Sequence, residues 1–307
     1  MEGILFPGQG AQHEGMGRDW AEAFPRARET FDEADAILGF ALTESCWSSG
    51  EAVNRTDIAQ PGILTTSIAI VRVLEERGLD RSKASMTAGL SLGEYTALWC
   101  AGALDFPDAL RLVRLRGEAM QAASEATPSS MLSLMGASLE QAQALAEAAS
   151  KAGICAVANL NSPGQIVLSG ELAALDVAEA VAKEHGVRRT RRLVVAGGFH
   201  SECMRPAADR LTEALREVEI RAPRIPFLSN VTGAPVESPE EIRSHLANQV
   251  CSSVLWEQSM RWALEAGLTR HLEPGPGRVL AGLMGKIAKD VGVEVTVRGV
   301  ETPSDLE

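Results

Sequence analysis

The sequence is poor in what several classes of protein need. Cationic residues are the minority: Lys+Arg total 29 against Asp+Glu 41, a formal net charge of −12. A nucleic-acid binder normally carries the opposite sign, and an anionic membrane surface repels such a chain, so neither partner is expected. No stretch approaches the roughly 18 uninterrupted apolar residues of a spanning helix. The most apolar candidate, Gly62 to Leu74, is broken by Thr65, Thr66, Ser67 and Arg72. Cysteine is sparse and scattered: Cys46, Cys100, Cys155, Cys203 and Cys251, an odd number with no CxxC pair. That argues against a disulfide framework and a zinc–cysteine site. The first residues, MEGILFPGQG, carry neither a basic n-region nor a long apolar h-region, so a cytoplasmic, reducing location is expected.

What is present is enough for a full-sized core. The chain has 307 residues, 45% hydrophobic and 23% charged, which predicts one large α/β domain or two unequal ones. Ile4-Leu5-Phe6 followed by Pro7-Gly8 reads as a buried strand and a sharp loop. Helices are expected over 20–38, 63–77, 94–101 and 107–123, with a short strand at 84–88. From residue 127 the texture changes. Strands at 131–135, 155–160, 165–169 and 191–195 alternate with helices at 138–151 and 171–184. Ser138 is a candidate N-cap, and Asn161-Ser162-Pro163-Gly164 is a turn signal. The order βαββαβ is the ferredoxin-like signature, read as a small domain, 127–195, inserted between 1–126 and 196–307. Further helices are expected at 209–219, 238–248 and after Pro274-Gly275-Pro276-Gly277, with a strand at 226–229. Charge divides along the same boundary: residues 127–195 hold six acids and six bases, so the remainder carries the whole −12.

The sharpest chemical signal is Gly89-Leu90-Ser91-Leu92-Gly93, placed after a short strand and opening a helix. A serine on such a turn is exposed at a helix N-terminus, and the Leu92 amide can stabilise an oxyanion. A nucleophilic serine needs a base. Of His13, His185, His200, His245 and His271, only His200 follows a glycine-rich junction, Gly197-Gly198-Phe199, where a cleft between domains should fall. No acid stands out between Ser91 and His200, so a Ser–His pair with a neutral orienter fits best. Gln9, in the loop after the first strand, is placed to lend a second amide. Arg116 lies on a largely apolar helix, where it needs either a carboxylate partner or an anionic substrate.

These pieces together resemble the malonyl-CoA:acyl carrier protein transacylases and the acyltransferase domains of polyketide synthases. The shared motifs are FPGQGAQ at 6–12, GLSLGEYTAL at 89–98, RLVRLRG at 111–117, NLNSPGQIVLSG at 159–170, GGFHSECMRPAA at 197–208 and EPGPGRVL at 273–280. The resemblance implies an α/β-hydrolase-like large domain with the ferredoxin-like insert. It implies Ser91 as nucleophile, His200 as base and acid, Arg116 as the grip on the malonyl carboxylate, and Gln9 and Leu92 as oxyanion-hole donors. It also implies Gln249 as the backbone carbonyl that orients the histidine. Asn161 and Gln165 belong near the carrier channel, and Phe199 crowds out α-branched acyl chains.

Two departures stand out. Leu90 replaces the histidine that many members have before the nucleophile, and Ser253 replaces a proline, which puts the loop around Gln249 in question. The implied partners are malonyl-CoA, as a substrate, and acyl carrier protein, with no cofactor and no metal, acting as a monomer in fatty acid biosynthesis. Acyl carrier proteins are acidic, so docking needs local positive charge. Arg188 and Arg189, with Arg191, Arg192 and Lys183, form the only dense basic cluster. The alternatives are a discrete polyketide acyltransferase, a thioester hydrolase that clears stalled chains, and a catalytically silent binding module.

Overall fold

A computed structural model describes residues 2–48 and 50–306; Met1, Ser49 and Glu307, all within the expected larger domain, lie outside the described residues. The chain forms two sheets. β1 (Gly3–Phe6) and β2 (Thr87–Gly89) lie in the first. The second holds β3 (Ser129–Met135), β4 (Cys155–Ser162), β5 (Gln165–Glu171) and β6 (Arg189–Arg192). β7 (Phe227–Leu228), β8 (Arg270–Pro274) and β9 (Thr296–Val300) return to the first. That sheet has the order β7-β2-β1-β8-β9 and every pair is parallel. The second has the order β4-β5-β3-β6 and every pair is antiparallel.

Parallel sheets are covered on both faces, and β1 shows it residue by residue. Ile4 and Phe6 join one apolar cluster, while Leu5 between them joins another with Met86, Leu228 and Trp256. The helices that supply these layers are α1 (Arg18–Ala23), α2 (Pro25–Leu38), α3 (Leu42–Trp47), α4 (Thr56–Glu76), α5 (Gly93–Cys100) and α6 (Phe106–Ala126). In the second sheet's region they are α7 (Leu139–Ala149) and α8 (Leu172–Val181), and beyond it α9 (Arg205–Arg216), α10 (Pro239–Gln249), α11 (Trp256–Glu265) and α12 (Val279–Val291).

Several expectations shift. The single helix expected over 20–38 is two, because Phe24 is extended and Pro25, with no N–H to give, starts α2. α4 begins seven residues earlier than the expected Ile63 and passes through Pro61. Proline deprives the Asp57 carbonyl of its helical donor, and Arg114 Nη1 on α6 supplies one at 2.7 Å. α4 is also long and apolar enough, by length and composition, to cross a membrane, but its most apolar window is 94% buried inside the protein. β6 runs over 189–192 rather than 191–195. Its register with β3 ends at Arg192, and one more bond, Leu193 N–H to Met131 O (3.0 Å), closes the ladder.

Local signals elsewhere act as read. Ser138 and Gln141 close a reciprocal capping box on α7. The two sheets are stitched by the loop after α10: Val254 N–H donates to Ala158 O (2.8 Å), and Leu160 N–H donates to Val254 O (3.0 Å).

Candidate active site

The site forms beyond the carboxyl ends of the parallel strands, where loops leave a sheet that is covered on both faces. β1 delivers Gln9, β2 delivers Ser91 and β7 delivers Asn230. Ser91 (φ 53°) and His200 (φ 60°) are the two non-glycine residues with positive φ among the described residues. Backbone held in that region costs energy and persists only where the surroundings enforce it. At Ser91 the enforcement is visible. A Cβ on Gly89 would lie 1.9 Å from the Gly93 carbonyl carbon, and one on Gly93 would lie 2.3 Å from Phe6 O. The turn closes only because both flanking residues lack side chains.

Ser91 Oγ lies 2.7 Å from His200 Nε2, and His200 Nδ1 lies 2.9 Å from the Gln249 carbonyl. With Nδ1–H donating to that carbonyl, Nε2 is free to accept the serine proton. Burial, and then the nearby Arg116 cation, push the His200 pKa down to about 4, so the ring is neutral near pH 7. The group at Nδ1 is thus a neutral carbonyl and not a carboxylate. Ser253, the departure suspected of loosening this loop, donates its hydroxyl to Val157 O at 2.6 Å and ties the loop to β4.

Arg116 is 1% exposed and makes no salt bridge among the described residues. Its Nη1 donates to Gln60 Oε1 (2.6 Å), and its Nη2 donates to Gln249 Oε1 (2.8 Å) and Ser91 Oγ (3.0 Å). Its Nε is buried with no partner among the described residues. Gly117, beside it on α6, lets that helix close on α4: a Cβ there would come within 2.8 Å of the Asp57 Cα. A buried cation with no carboxylate partner among the described residues and one idle donor has the chemistry to take an incoming anion.

A cavity of about 720 Å³ opens over these groups, lined by Gln9, Ser91, Arg116, Phe199 and His200 among others. Asn161 and Gln165 line the same cavity. Gln165 Oε1 accepts from Lys286 Nζ at 2.9 Å, and Asn161 Oδ1 is buried without a partner among the described residues. Leu90 also lines it, as an apolar wall. Leu92, next to Ser91 in the chain, is fully buried. The amides of Gln9 and Leu92 are both without a hydrogen-bond acceptor among the described residues. The Gln9 side chain is occupied, donating to Thr56 Oγ1 at 3.1 Å.

Arg188 and Arg189 are exposed and do not line the cavity. The cluster they belong to is smaller than the sequence suggests, because Arg192 is held by Asp176 (2.7 Å) and Glu179 (3.0 Å). The residues that follow β6, Leu193 to Ala196, form part of the cavity wall.

Three residues escaped the sequence reading. Gln60 holds Arg116. Asn230 accepts the Ser91 N–H on its Oδ1 at 2.6 Å and donates from Nδ2 to Gly89 O at 2.8 Å. Glu94 is an acid between Ser91 and His200 after all. It is fully buried, and burial raises its pKa to about 7 against the pull of Asn230, Gln249 and Arg116. A charged residue inside α5, where every residue is buried, was the available signal for it. Nothing local marked Asn230.

Comparison with known proteins places this geometry. A family profile described as acyl transferase domain matches residues 4–280. A Bacillus subtilis protein named malonyl CoA-acyl carrier protein transacylase is 41% identical over 286 residues, covering 92% of this chain and 89% of that one. A solved acyl-carrier-protein-S-malonyltransferase from Bartonella henselae superposes with a TM-score of 0.94 at 38% identity, over 100% of this chain and 97% of that one. A malonyl-transacylase solved in complex with a type II PKS acyl-carrier protein superposes at 0.93 and 37% identity, over 100% and 98% of the two chains. The mixed α/β architecture, a parallel sheet with a separate antiparallel one, is that of these structures. With the serine turn, the paired histidine and the buried arginine in one cavity, and with the family profile spanning most of its length, this chain belongs to the acyl transferase domain family.

Proposed function

We propose that the chain moves a malonyl group from coenzyme A to the phosphopantetheine thiol of acyl carrier protein through a malonyl-serine intermediate, in fatty acid biosynthesis. One observation carries the reading: Ser91 Oγ is in contact with His200 Nε2 at 2.7 Å and with Arg116 Nη2 at 3.0 Å. Nucleophile, base and carboxylate receptor therefore meet at one atom. The transacylase names of the relatives support the same substrate.

In the first half-reaction His200 Nε2 takes the Ser91 proton as Oγ bonds to the thioester carbon. The amides of Gln9 and Leu92 hold the oxyanion, and one such donor is worth about 10²–10³ in rate. The C–S bond breaks, and the coenzyme A sulfur leaves with the proton from His200. In the second half the carrier thiol gives its proton to His200, attacks the ester, and Ser91 recovers its proton. The malonyl carboxylate takes the Nε and Nη2 edge of Arg116. It supplies the partner that the buried Nε lacks. Phe199, 5% exposed against the cavity, crowds an α-branched chain. Asn161 and Gln165 line the pantetheine path, and Arg188 and Arg189 meet the acidic carrier.

The larger sheet, with apolar layers on both faces and the serine turn after β2, supports an α/β-hydrolase-like domain over 1–126 and 196–307. The order β4-β5-β3-β6, all antiparallel, supports a ferredoxin-like insert over 127–195. A cytoplasmic monomer needing no metal or cofactor completes the proposal.

Intact-protein mass spectrometry with malonyl-CoA tests it. The wild type should gain one malonyl group and Ser91→Ala none; an adduct that persists in the variant refutes the assignment of Ser91. The type II PKS carrier bound by one structural relative favours a second reading, a discrete polyketide acyltransferase. Transfer rates to a fatty-acid carrier and a polyketide carrier, measured side by side, separate the two.

A further inference from the structure

Behind the cavity lies a carboxylate that the transfer chemistry does not use. Glu94 is 0% exposed, as is Asn230, and Gln249 is 1% exposed. Glu94 Oε1 accepts the Asn230 backbone N–H at 2.6 Å, and Oε2 accepts Gln249 Nε2 in a close contact. Each of those two residues then grips the reacting groups. Asn230 Oδ1 holds the Ser91 N–H (2.6 Å). Gln249 Nε2 holds the Ser91 carbonyl (2.9 Å), its Oε1 holds Arg116 (2.8 Å) and its backbone carbonyl holds His200 (2.9 Å).

The polarity of this network leaves little choice of residue at position 94. Arg116 can only donate, so the Gln249 side-chain oxygen must face it. The Gln249 amide nitrogen must then face acceptors, and its two neighbours on that side are the Ser91 carbonyl and Glu94. The other Glu94 oxygen faces a backbone N–H, which also only donates. Only a side chain with two acceptors and no donor satisfies both. A glutamine of the same shape would set its NH₂ against one donor, and a buried unsatisfied donor is costly.

We infer that Glu94 is a positioning residue of the transfer reaction: by accepting from both Asn230 and Gln249 it fixes Ser91 in its strained turn, His200 toward Ser91, and Arg116 toward the substrate carboxylate. The role rests on the transacylase reading for its substrate, but not for its geometry. Arg116 remains a buried cation whose charge reaches Glu94 through the Gln249 amide.

The test compares two substitutions with two probes. A fluorophosphonate reacts with an activated serine without needing a malonyl group: the Ser91 O–P bond forms, fluoride leaves and His200 takes the proton. Malonyl-CoA reports the full reaction. Glu94→Gln preserves volume but not polarity, whereas Glu94→Asp preserves polarity but not reach. Glu94→Gln should slow both reactions about 10- to 100-fold, the rate equivalent of one or two lost buried hydrogen bonds. Glu94→Asp should recover part of that loss, although it packs worse. A purely structural role gives the reverse order, with the isosteric glutamine the better replacement. Glutamine rates within about threefold of wild type, or aspartate no faster than glutamine, overturn the inference. Should Glu94→Gln fail to fold, Glu94→Ala, which removes both acceptors, takes its place: fluorophosphonate labelling within about threefold of wild type in a folded Glu94→Ala overturns the inference. A wild type that reacts with the fluorophosphonate but takes no malonyl group refutes the transacylase reading and leaves the Glu94 comparison standing.

Discussion

Arginine occupies two opposite settings in this molecule. Around Ser91, Arg116 is 1% exposed, surrounded by amide and hydroxyl oxygens and, among the described residues, by no carboxylate in salt-bridge contact. Beside and along β6, Arg188, Arg189 and Arg191 stand exposed, and Arg192 is neutralised by Asp176 and Glu179. A buried cation loses its hydration and pulls strongly on any anion that enters, whereas an exposed one is screened by water and salt. In the proposed function the first setting selects the substrate. The second can only attract a partner from a distance and hold it loosely.

The largest break in that contrast comes from Arg116→Ala. It leaves the Gln60 and Gln249 side-chain oxygens without a donor and removes the carboxylate receptor. The preference for malonyl- over acetyl-CoA should fall by about 10²-fold, measured as adduct formation from mixed substrates, and ionic strength should not restore it. An unchanged preference would place the carboxylate elsewhere.

pH sharpens the buried half of the comparison. Protonating Glu94 turns an acceptor into a donor, and protonating His200 removes the base. Fluorophosphonate labelling should therefore drop partially as pH falls through about 7 and completely as it falls through about 4. Glu94→Gln keeps only the lower step. The linked stabilities have opposite signs. His200, depressed from 6.5, contributes stability that is present above 6.5 and lost as pH falls toward 4. Glu94, raised from 4.5, contributes stability that is present below 4.5 and lost as pH rises through about 7. A single labelling step near the ordinary histidine value contradicts the buried, cation-flanked environment.

The exposed half predicts a smaller and salt-dependent effect. Reversing Arg188 and Arg189 to glutamate should raise the KM for an acidic carrier protein about three- to tenfold at low ionic strength. The KM for malonyl-CoA should stay constant, and the difference should vanish near 1 M salt, where the Debye length is about 3 Å. Equal changes in both constants remove the docking role. Smallest of all is Ser253→Ala, which loses one hydrogen bond to Val157 O. It should cost about 1 kcal/mol and lower Tm by about 2 °C in thermal denaturation. A larger drop means that the loop carries more of the link between the sheets than this hydroxyl.

Elements with a local cause were legible. The serine turn announces itself through two glycines, α7 through its capping box, and the β4–β5 turn through Pro163-Gly164. β8 was not. A buried central strand should be apolar, yet β8 contains Glu273, whose carboxylate accepts the Leu280 and Ala281 amides at 2.9 and 2.8 Å and so caps α12. Its charge answers a need that arises in another element. α3, α11 and β9 escaped as well, being short or weakly patterned segments whose packing partners lie far away in sequence. Arg116 was legible as an anomaly, a charge on an apolar helix face, but its lack of a carboxylate partner was not.

What the amino-acid order determined alone is the chemistry on offer: a serine on a turn that only glycines permit, a histidine after a glycine pair, an arginine among apolar neighbours. Such features depend on backbone geometry within a few residues, and those constraints are written in the residues themselves. What folding decided is how they are aimed. The Ser91–His200 contact spans 109 positions, and the grip of Gln249 on the Ser91 carbonyl spans 158. Directional hydrogen bonds across such separations exist only once the sheet has set where each loop ends, so Glu94, Asn230 and Gln249 acquire their meaning from the fold.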